Sequence, residues 1–158
     1  LASSRPASLT LVGTPPAGDA YNPDGVWADP ADPAAVEGSL TGLLSADFRE
    51  AHPDALAPIV EWRLAEDADP EAFAAQRAAI EGFDLVDRLH EVLPPALVVV
   101  GADDTVCPRT AAETLADGLP RGEQYVVAGA RHLVGVEASA AVNDRLAGWL
   151  ATHASDPP

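Results

Sequence analysis

One apolar run, residues 96–100 (Ala-Leu-Val-Val-Val), constrains the fold of this chain more than any other feature. β-branched residues favour strands, and a strand without polar residues on either face is typical of a parallel sheet covered on both sides. The polar loop Gly-Ala-Asp-Asp follows immediately at residues 101–104. The run therefore predicts a central buried strand whose carboxyl end opens into a polar loop.

Further strands and helices alternate with this one. We expect strands over residues 8–12 and 124–128, and helices over 110–118 and 138–150. The last helix places Val142, Leu146, Trp149 and Leu150 on one stripe. Alternating strands and helices predict an α/β fold, a parallel sheet with helices on both faces. Three strands are few for such a sheet, so the pattern indicates an incomplete fold.

A long segment separates the first two strands. Residues 17–33 are rich in Pro, Asp and Gly, with turn chemistry at Asn22-Pro23-Asp24-Gly25. Helical patterns follow: Leu56, Ile59, Val60 and Leu64 share one helix face. Asp69-Pro70-Glu71 predicts a helix start, and Gly82 its stop. We expect several short helices here, and the length of the stretch 17–33 indicates a functional loop or lid.

Composition excludes some functions. The 158 residues include 25 acidic and 9 basic side chains, a net charge of −16 that disfavours nucleic-acid and membrane-surface roles. A soluble protein from a GC-rich genome would have the same acidic, alanine-rich composition. Cys107 is the single cysteine, so no intrachain disulfide is expected. Without a signal peptide or an apolar run of about 20 residues, the cytoplasm is the expected location.

Two titratable residues follow consecutive predicted strands. Asp104 lies after residues 96–100, and His132 lies after residues 124–128. The carboxyl ends of parallel strands meet at one edge of a sheet, so we expect these side chains to be neighbours. A carboxylate there can fix the imidazole tautomer and stabilise its charged form. Either residue alone is better explained as a helix cap or an ordinary loop histidine; the pair favours acid–base chemistry.

The same residues resemble α/β-hydrolases. Gly-Ala-Asp-Asp-Thr-Val-Cys-Pro (101–108) is similar to the segment that carries their triad acid, and Gly-Ala-Arg-His-Leu (129–133) to the segment that carries their histidine. Residues 5–14 resemble the helix exit and strand that follow the nucleophile helix. The resemblance implies the C-terminal part of an α/β-hydrolase fold with a helical lid insert, Asp104 as the acid and His132 as the base.

The resemblance also divides the chain. Residues 1–16 would hold the core strand after the nucleophile helix, 17–93 the helical lid and the return to the sheet, 94–151 the C-terminal core, and 152–158 a flexible tail. Residues 47–53, 69–73 and 83–89 are similar to 3-oxoadipate enol-lactonases. They imply a small-molecule ester or lactone as substrate, with no cofactor and no metal.

The nucleophile is missing from this pattern. No G-x-S-x-G occurs, and Ser3 and Ser4 lack the surroundings of a nucleophile elbow. The expected serine lies about ten residues before Leu1, since the family order is nucleophile, acid, histidine. We therefore expect a complementary N-terminal hydrolase fragment as the partner, from a split gene or a cleaved precursor. A non-catalytic binding or scaffold subunit is the alternative; a nucleotide-binding domain lacks a G-x-G-x-x-G or a P-loop.

The remaining candidates have simpler alternatives. Trp27, Trp62 and Val134 are candidate substrate-binding residues, although a packing role is as good an explanation for the tryptophans. Cys107 fits a small buried hydrophobe better than a nucleophile. Asp103 is expected to be a solvated turn residue. The remaining histidines, at 52, 90 and 153, fit no metal-ligand spacing and are expected at the surface.

Overall fold

The computed structural model describes residues 6–23 and 25–153. The expectations for Ser3, Ser4, Arg5, Asp24 and the tail from residue 154 fall outside this part of the chain. The described part contains three strands: β1 (Leu9–Val12), β2 (Ala96–Gly101) and β3 (Gly122–Val127). They form a parallel sheet in the order β1-β2-β3, as alternation of strands and helices predicts.

Seven α-helices accompany the sheet within the described residues. Between β1 and β2 lie α1 (Pro33–Leu43), α2 (Ala46–Ala51), α3 (Pro53–Glu66) and α4 (Pro70–Glu81). After β2 come α5 (Arg109–Gly118), α6 (Val134–Glu137) and α7 (Ser139–His153). Short 3₁₀ helices occupy Gly18–Ala20 and Val86–Glu91. No described helix is long and apolar enough to cross a membrane.

The strand β2 is the centre of the fold. Its six residues are all buried, because alternate side chains pack into cores on opposite faces of the sheet. On one face, Val98 and Val100 pack with Ala112 and Leu115 of α5. On the other face, Leu97 and Val99 pack in a second core with residues of α7. The prediction of a strand covered on both sides is confirmed.

The helix α7 differs from its predicted stripe at one position. Val142 and Trp149 are buried and Leu146 is partly buried in the second core. Leu150, in contrast, is 54% exposed. Successive residues of an α-helix are rotated by about 100°, so the residue after Trp149 turns away from the sheet. The stripe is therefore narrower than the sequence pattern indicates.

The four helices α1 to α4 lie in an insert, residues 17–84, whose two ends pair with each other. Gly18 N donates to Phe83 O at 2.8 Å, and Leu85 N donates to Pro16 O at 3.0 Å. Gly18 lies so close to the carbonyl of Ile80 that any Cβ would overlap it. These bonds close the insert at its base, so its four helices project from one place beside the sheet.

The insert has its own core, which includes residues of the sheet-end loops. Leu40, Leu43 and Leu44 of the α1 region are buried together with Val106, from the loop after β2. Partly buried residues pack around them; they are Tyr21, Val26, Phe48, Leu56, Ile59, Val60 and Leu133. The predicted helix start is also present, since Asp69 accepts a hydrogen bond from Ala72 N at 2.8 Å and Gly82 ends α4. The insert therefore lies over the carboxyl ends of β2 and β3.

Candidate active site

Asp104 and His132 lie side by side where the parallel pairing of β2 and β3 brings their loops together. His132 Nδ1 is 2.9 Å from Asp104 Oδ2. The Asp104 side chain is fully buried, and that of His132 is 17% exposed. A buried carboxylate needs hydrogen-bond donors, and an imidazole N–H is a suitable one. The arrangement assigns the proton to Nδ1 of the imidazole.

The second oxygen of Asp104 holds the backbone of its own loop. Oδ1 accepts hydrogen bonds from Val106 N at 2.8 Å and from Cys107 N at 2.9 Å. This leaves Oδ2 directed at His132. The two explanations offered by the sequence are thus combined in one side chain, because Asp104 organises the turn before α5 and also binds the imidazole.

Two glycines, at the ends of β1 and β2, allow the chain to pack closely around His132. At the end of β1, Gly13 has φ +53°, and a Cβ there would lie 3.2 Å from Cε1 and 3.3 Å from Nδ1 of His132. At the end of β2, a Cβ on Gly101 would overlap the carbonyls of Ala130 and Arg131. Both positions need glycine, one for its left-handed backbone and one for space. The sequence indicates a turn at Gly13, but not its contact with His132.

His132 faces a cavity of about 470 Å³, which lies between the insert and the segment that follows β3. Most of the wall is aromatic or aliphatic, and the polar residues are few. The lining residues are Tyr21, Val26, Trp27, Leu43, Ile59, Trp62, Arg63, Asp67, Ala68, Phe73, Gln76, Ile80, His132, Leu133 and Val136. A mostly apolar cavity with a few polar groups is typical of a small-molecule site.

The three candidate substrate-binding residues have different surroundings. Trp27 lines the cavity, stacks on Phe73 at 4.7 Å between ring centroids, and donates from Nε1 to Ala68 O at 2.7 Å. Trp62 also lines the cavity and is 66% exposed. Val134 is fully buried in the α7-side core, outside the cavity wall, because the short helix α6 turns it toward the sheet. Its neighbours Leu133 and Val136 line the cavity instead.

Arg63 and Asp67 form an ion pair in the cavity wall. Arg63 Nε binds Asp67 Oδ2 at 2.8 Å, and Nη2 donates to Val26 O at 2.9 Å. Nη1 donates to Ser39 Oγ at 2.5 Å. A guanidinium has five N–H groups, so two remain after these bonds. No sequence pattern indicates Arg63, because its place depends on the packing of α3 against α1 and the loop at Val26.

Two further titratable groups surround the carboxylate of Asp104. Burial, followed by the negative charge of Asp104, raises the pKa of the Cys107 thiol to about 12. Burial, followed by the charges of Cys107 and Asp104, also raises the pKa of Tyr21. Both groups therefore stay protonated at neutral pH, so Cys107 has the character of a buried apolar residue. Asp103, His52 and His90 are exposed, whereas His153 is half-buried against Trp149.

No group of three or more potential ligands among the described residues could hold a metal ion.

No family model matches the chain. Proline iminopeptidases of Lactiplantibacillus plantarum and Lactobacillus delbrueckii subsp. bulgaricus are 34% and 32% identical to it over 71 residues, which is 45% of this chain. The chain spans about a quarter of the length of these curated relatives, 24% in each case.

Solved structures match most of the chain. An enol-lactonase from Burkholderia xenovorans LB400 superposes with a TM-score of 0.74 and 22% identity over 90% of this chain and 55% of its own. Est816, described as an N-acyl homoserine lactone degrading enzyme, superposes with a TM-score of 0.68 and 25% identity over 88% of this chain and 56% of its own. The chain thus spans just over half of each of these structures.

Proposed function

Because the chain has the fold of the C-terminal part of an α/β-hydrolase, we propose that it supplies the acid and the base of a serine-type ester or lactone hydrolase. The 2.9 Å contact between His132 Nδ1 and the buried carboxylate of Asp104 carries this proposal. The same His132 borders the cavity, which is where an acyl group would have to lie. The nucleophilic serine comes from residues outside the printed sequence.

In this mechanism His132 moves the proton and Asp104 orients it. With Nδ1 bound to Asp104, Nε2 has no hydrogen-bond partner among the described residues and can accept the serine proton. The serine oxygen attacks the acyl carbonyl carbon, and the imidazolium then returns its proton to the departing alkoxide. Water attacks the acyl-enzyme by the same route. The charge of Asp104 stabilises the imidazolium in both steps.

The open edge of the sheet supports the proposed origin of the serine. The strand β1 pairs only with β2 among the described residues, and Val12 at its end is 44% exposed. An unpaired strand edge is a template for another strand. We propose that a complementary N-terminal hydrolase segment adds its strands to this edge. Gly13 ends β1 in contact with the imidazole, so a residue delivered beside β1 reaches His132.

The cavity supports a small substrate with an apolar body. Trp27, Phe73 and Ile59 provide the apolar wall, and Arg63 provides hydrogen-bond donors at one side. This suits a small ester or lactone with one polar substituent. In this proposal the insert acts as a lid over the acyl site. The lactone-degrading description of two structural neighbours agrees with this class of substrate.

Substitution of His132 tests the proposal. In the protein completed by its serine-bearing segment, His132→Ala is expected to lower kcat/KM for aryl esters and lactones by about 10³-fold or more, because the general base is lost. His90→Ala is the control, since this histidine is exposed on the 3₁₀ helix Val86–Glu91. Equal activity of the two variants would exclude the proposed role of His132.

The alternative is a non-catalytic binding or scaffold subunit with a hydrolase fold. The absence of G-x-S-x-G from the 158 residues favours it. The fixed orientation of His132 by Asp104 favours the enzyme instead, since a scaffold does not need a bound imidazole at a cavity. No turnover in the completed wild-type protein, for any small ester or lactone, would favour the scaffold.

A further inference from the structure

Glu137, at the end of α6, uses its two carboxylate oxygens to join two separate parts of the chain. Oε1 accepts a hydrogen bond from Arg131 N at 2.6 Å, directly before His132. Oε2 accepts one from Ser45 N at 3.0 Å, 92 residues away in the insert. The side chain is part-buried at both contacts. Ser45 is the N-cap of α2, so Glu137 binds the junction between α1 and α2 as well as the histidine loop.

Two more hydrogen bonds cross between the same two regions. Leu133 N donates to Leu43 O at 3.0 Å, and Arg131 Nη1 donates to Thr41 O at 2.8 Å. The backbone is therefore held on both sides of His132, through Arg131 before it and Leu133 after it. The partners are Glu137 and the last turn of α1, which is the part of the insert that contributes Leu43 to the cavity wall.

We propose that Glu137 is a positioning residue that couples the insert to the imidazole of His132. The carboxylate fixes the backbone at Arg131 and, at the same time, the start of α2. A displacement of the insert by a bound ligand would thus reach the base through Glu137. This inference rests on the proposed function for its role in turnover, but the coupling itself is a property of the folded chain.

A carboxylate suits this position because both of its contacts are to N–H donors. Both oxygens of an ionised carboxylate accept hydrogen bonds, whereas glutamine offers one acceptor and one donor group. In Glu137→Gln, the amide NH₂ group would face either Arg131 N or Ser45 N, and one of these donors would lose its partner. Glu137→Ala would remove both acceptors. Glu91 provides a control, because its carboxylate binds the exposed Arg88 side chain and has no second partner among the described residues.

The test compares Glu137→Gln and Glu137→Ala with Glu91→Gln by NMR of the imidazole nitrogens, without substrate. We expect His132 to be a single Nδ1–H tautomer in the wild type and in Glu91→Gln. In both Glu137 variants we expect mixed tautomers and faster exchange of the Nδ1 proton. Amide exchange should be at least tenfold faster at both Arg131 and Ser45 in Glu137→Ala, and at one of the two in Glu137→Gln. Glu137→Gln retains one of the two bonds, so it remains informative if Glu137→Ala does not fold.

The outcomes separate this inference from the proposed function. Wild-type tautomer and exchange rates at His132 in a folded Glu137→Gln protein, with only a lower melting temperature, would overturn the coupling. The spectra are recorded on the completed protein without substrate, and they do not depend on turnover. A completed wild-type protein that hydrolyses no ester would therefore overturn the hydrolase proposal and leave the coupling standing.

Discussion

At the scale of single residues, the two carboxylate oxygens of Asp104 have different roles in the site. Asp104 Oδ1 holds the loop through Val106 N and Cys107 N, and Oδ2 holds His132. A buried carboxylate with three donors has a fixed orientation, so the imidazole has one too. Cys107, in the same loop, is fully buried as well.

The raised pKa of Cys107, about 12, predicts an unreactive thiol. The thiolate is the reactive form, and near pH 8 only about one thiol in 10⁴ would be ionised. We expect no reaction with an aromatic disulfide reagent in the native protein at pH 8, and one equivalent after unfolding. The absorbance of the released thiolate measures both. Rapid modification of the native protein would contradict the described burial.

Gly13 is the glycine at which an added methyl group would press directly on the imidazole of His132. In Gly13→Ala the left-handed φ costs about 1–2 kcal/mol, and the new Cβ also presses on the imidazole at 3.2 Å. We expect a lower melting temperature together with an altered His132 tautomer signal and reduced turnover. Gly25→Ala is the matched control, since φ is +87° but no atom lies within 4 Å of a Cβ. It should lose stability without any change at His132.

At the scale of elements, the sequence predicts the two catalytic candidates better than the residues that hold their loops in place. Asp104 and His132 could be predicted as neighbours because parallel strands align their carboxyl ends, which depends only on the order of strands and loops. Glu137 could not, since its partner Ser45 is 92 residues away and only the packed insert brings it near. The sequence indicates Val134 as a substrate-binding candidate. The turn of α6 buries Val134 against the sheet and directs Leu133 and Val136 to the cavity.

Trp62 lies in the insert, and we expect its removal to weaken substrate binding without lowering the stability of the fold. This side chain borders the cavity yet is 66% exposed, so its removal leaves the core intact. We expect Trp62→Ala to change the free energy of unfolding by less than about 0.5 kcal/mol. In the completed enzyme it should raise KM several-fold with little change in kcat, because ground-state contact is lost. Phe73→Ala, which removes the ring stacked on Trp27, should lower stability as well. An unchanged KM in Trp62→Ala would place the acyl site elsewhere.

At the scale of the whole molecule, a hydrolase of the proposed kind needs further strands beside β1. This chain covers 55% and 56% of the lengths of the two matched structures, so nearly half of each structure has no counterpart in it. The free edge of β1 and the exposed Val12 lie where further strands would add. A mass spectrum of the native assembly should therefore show more than the 16.3 kDa of this chain. A folded, monodisperse species of that mass alone would contradict the need for a partner.

The central claim is that Asp104 and His132 activate a serine that is not among these 158 residues. Labelling of the completed native protein with a fluorophosphonate probe, followed by peptide mapping, tests it most directly. We expect one labelled serine outside these 158 residues, with labelling lost in His132→Ala and retained in His90→Ala. A label on any residue of this chain, or undiminished labelling of the serine in His132→Ala, would contradict it.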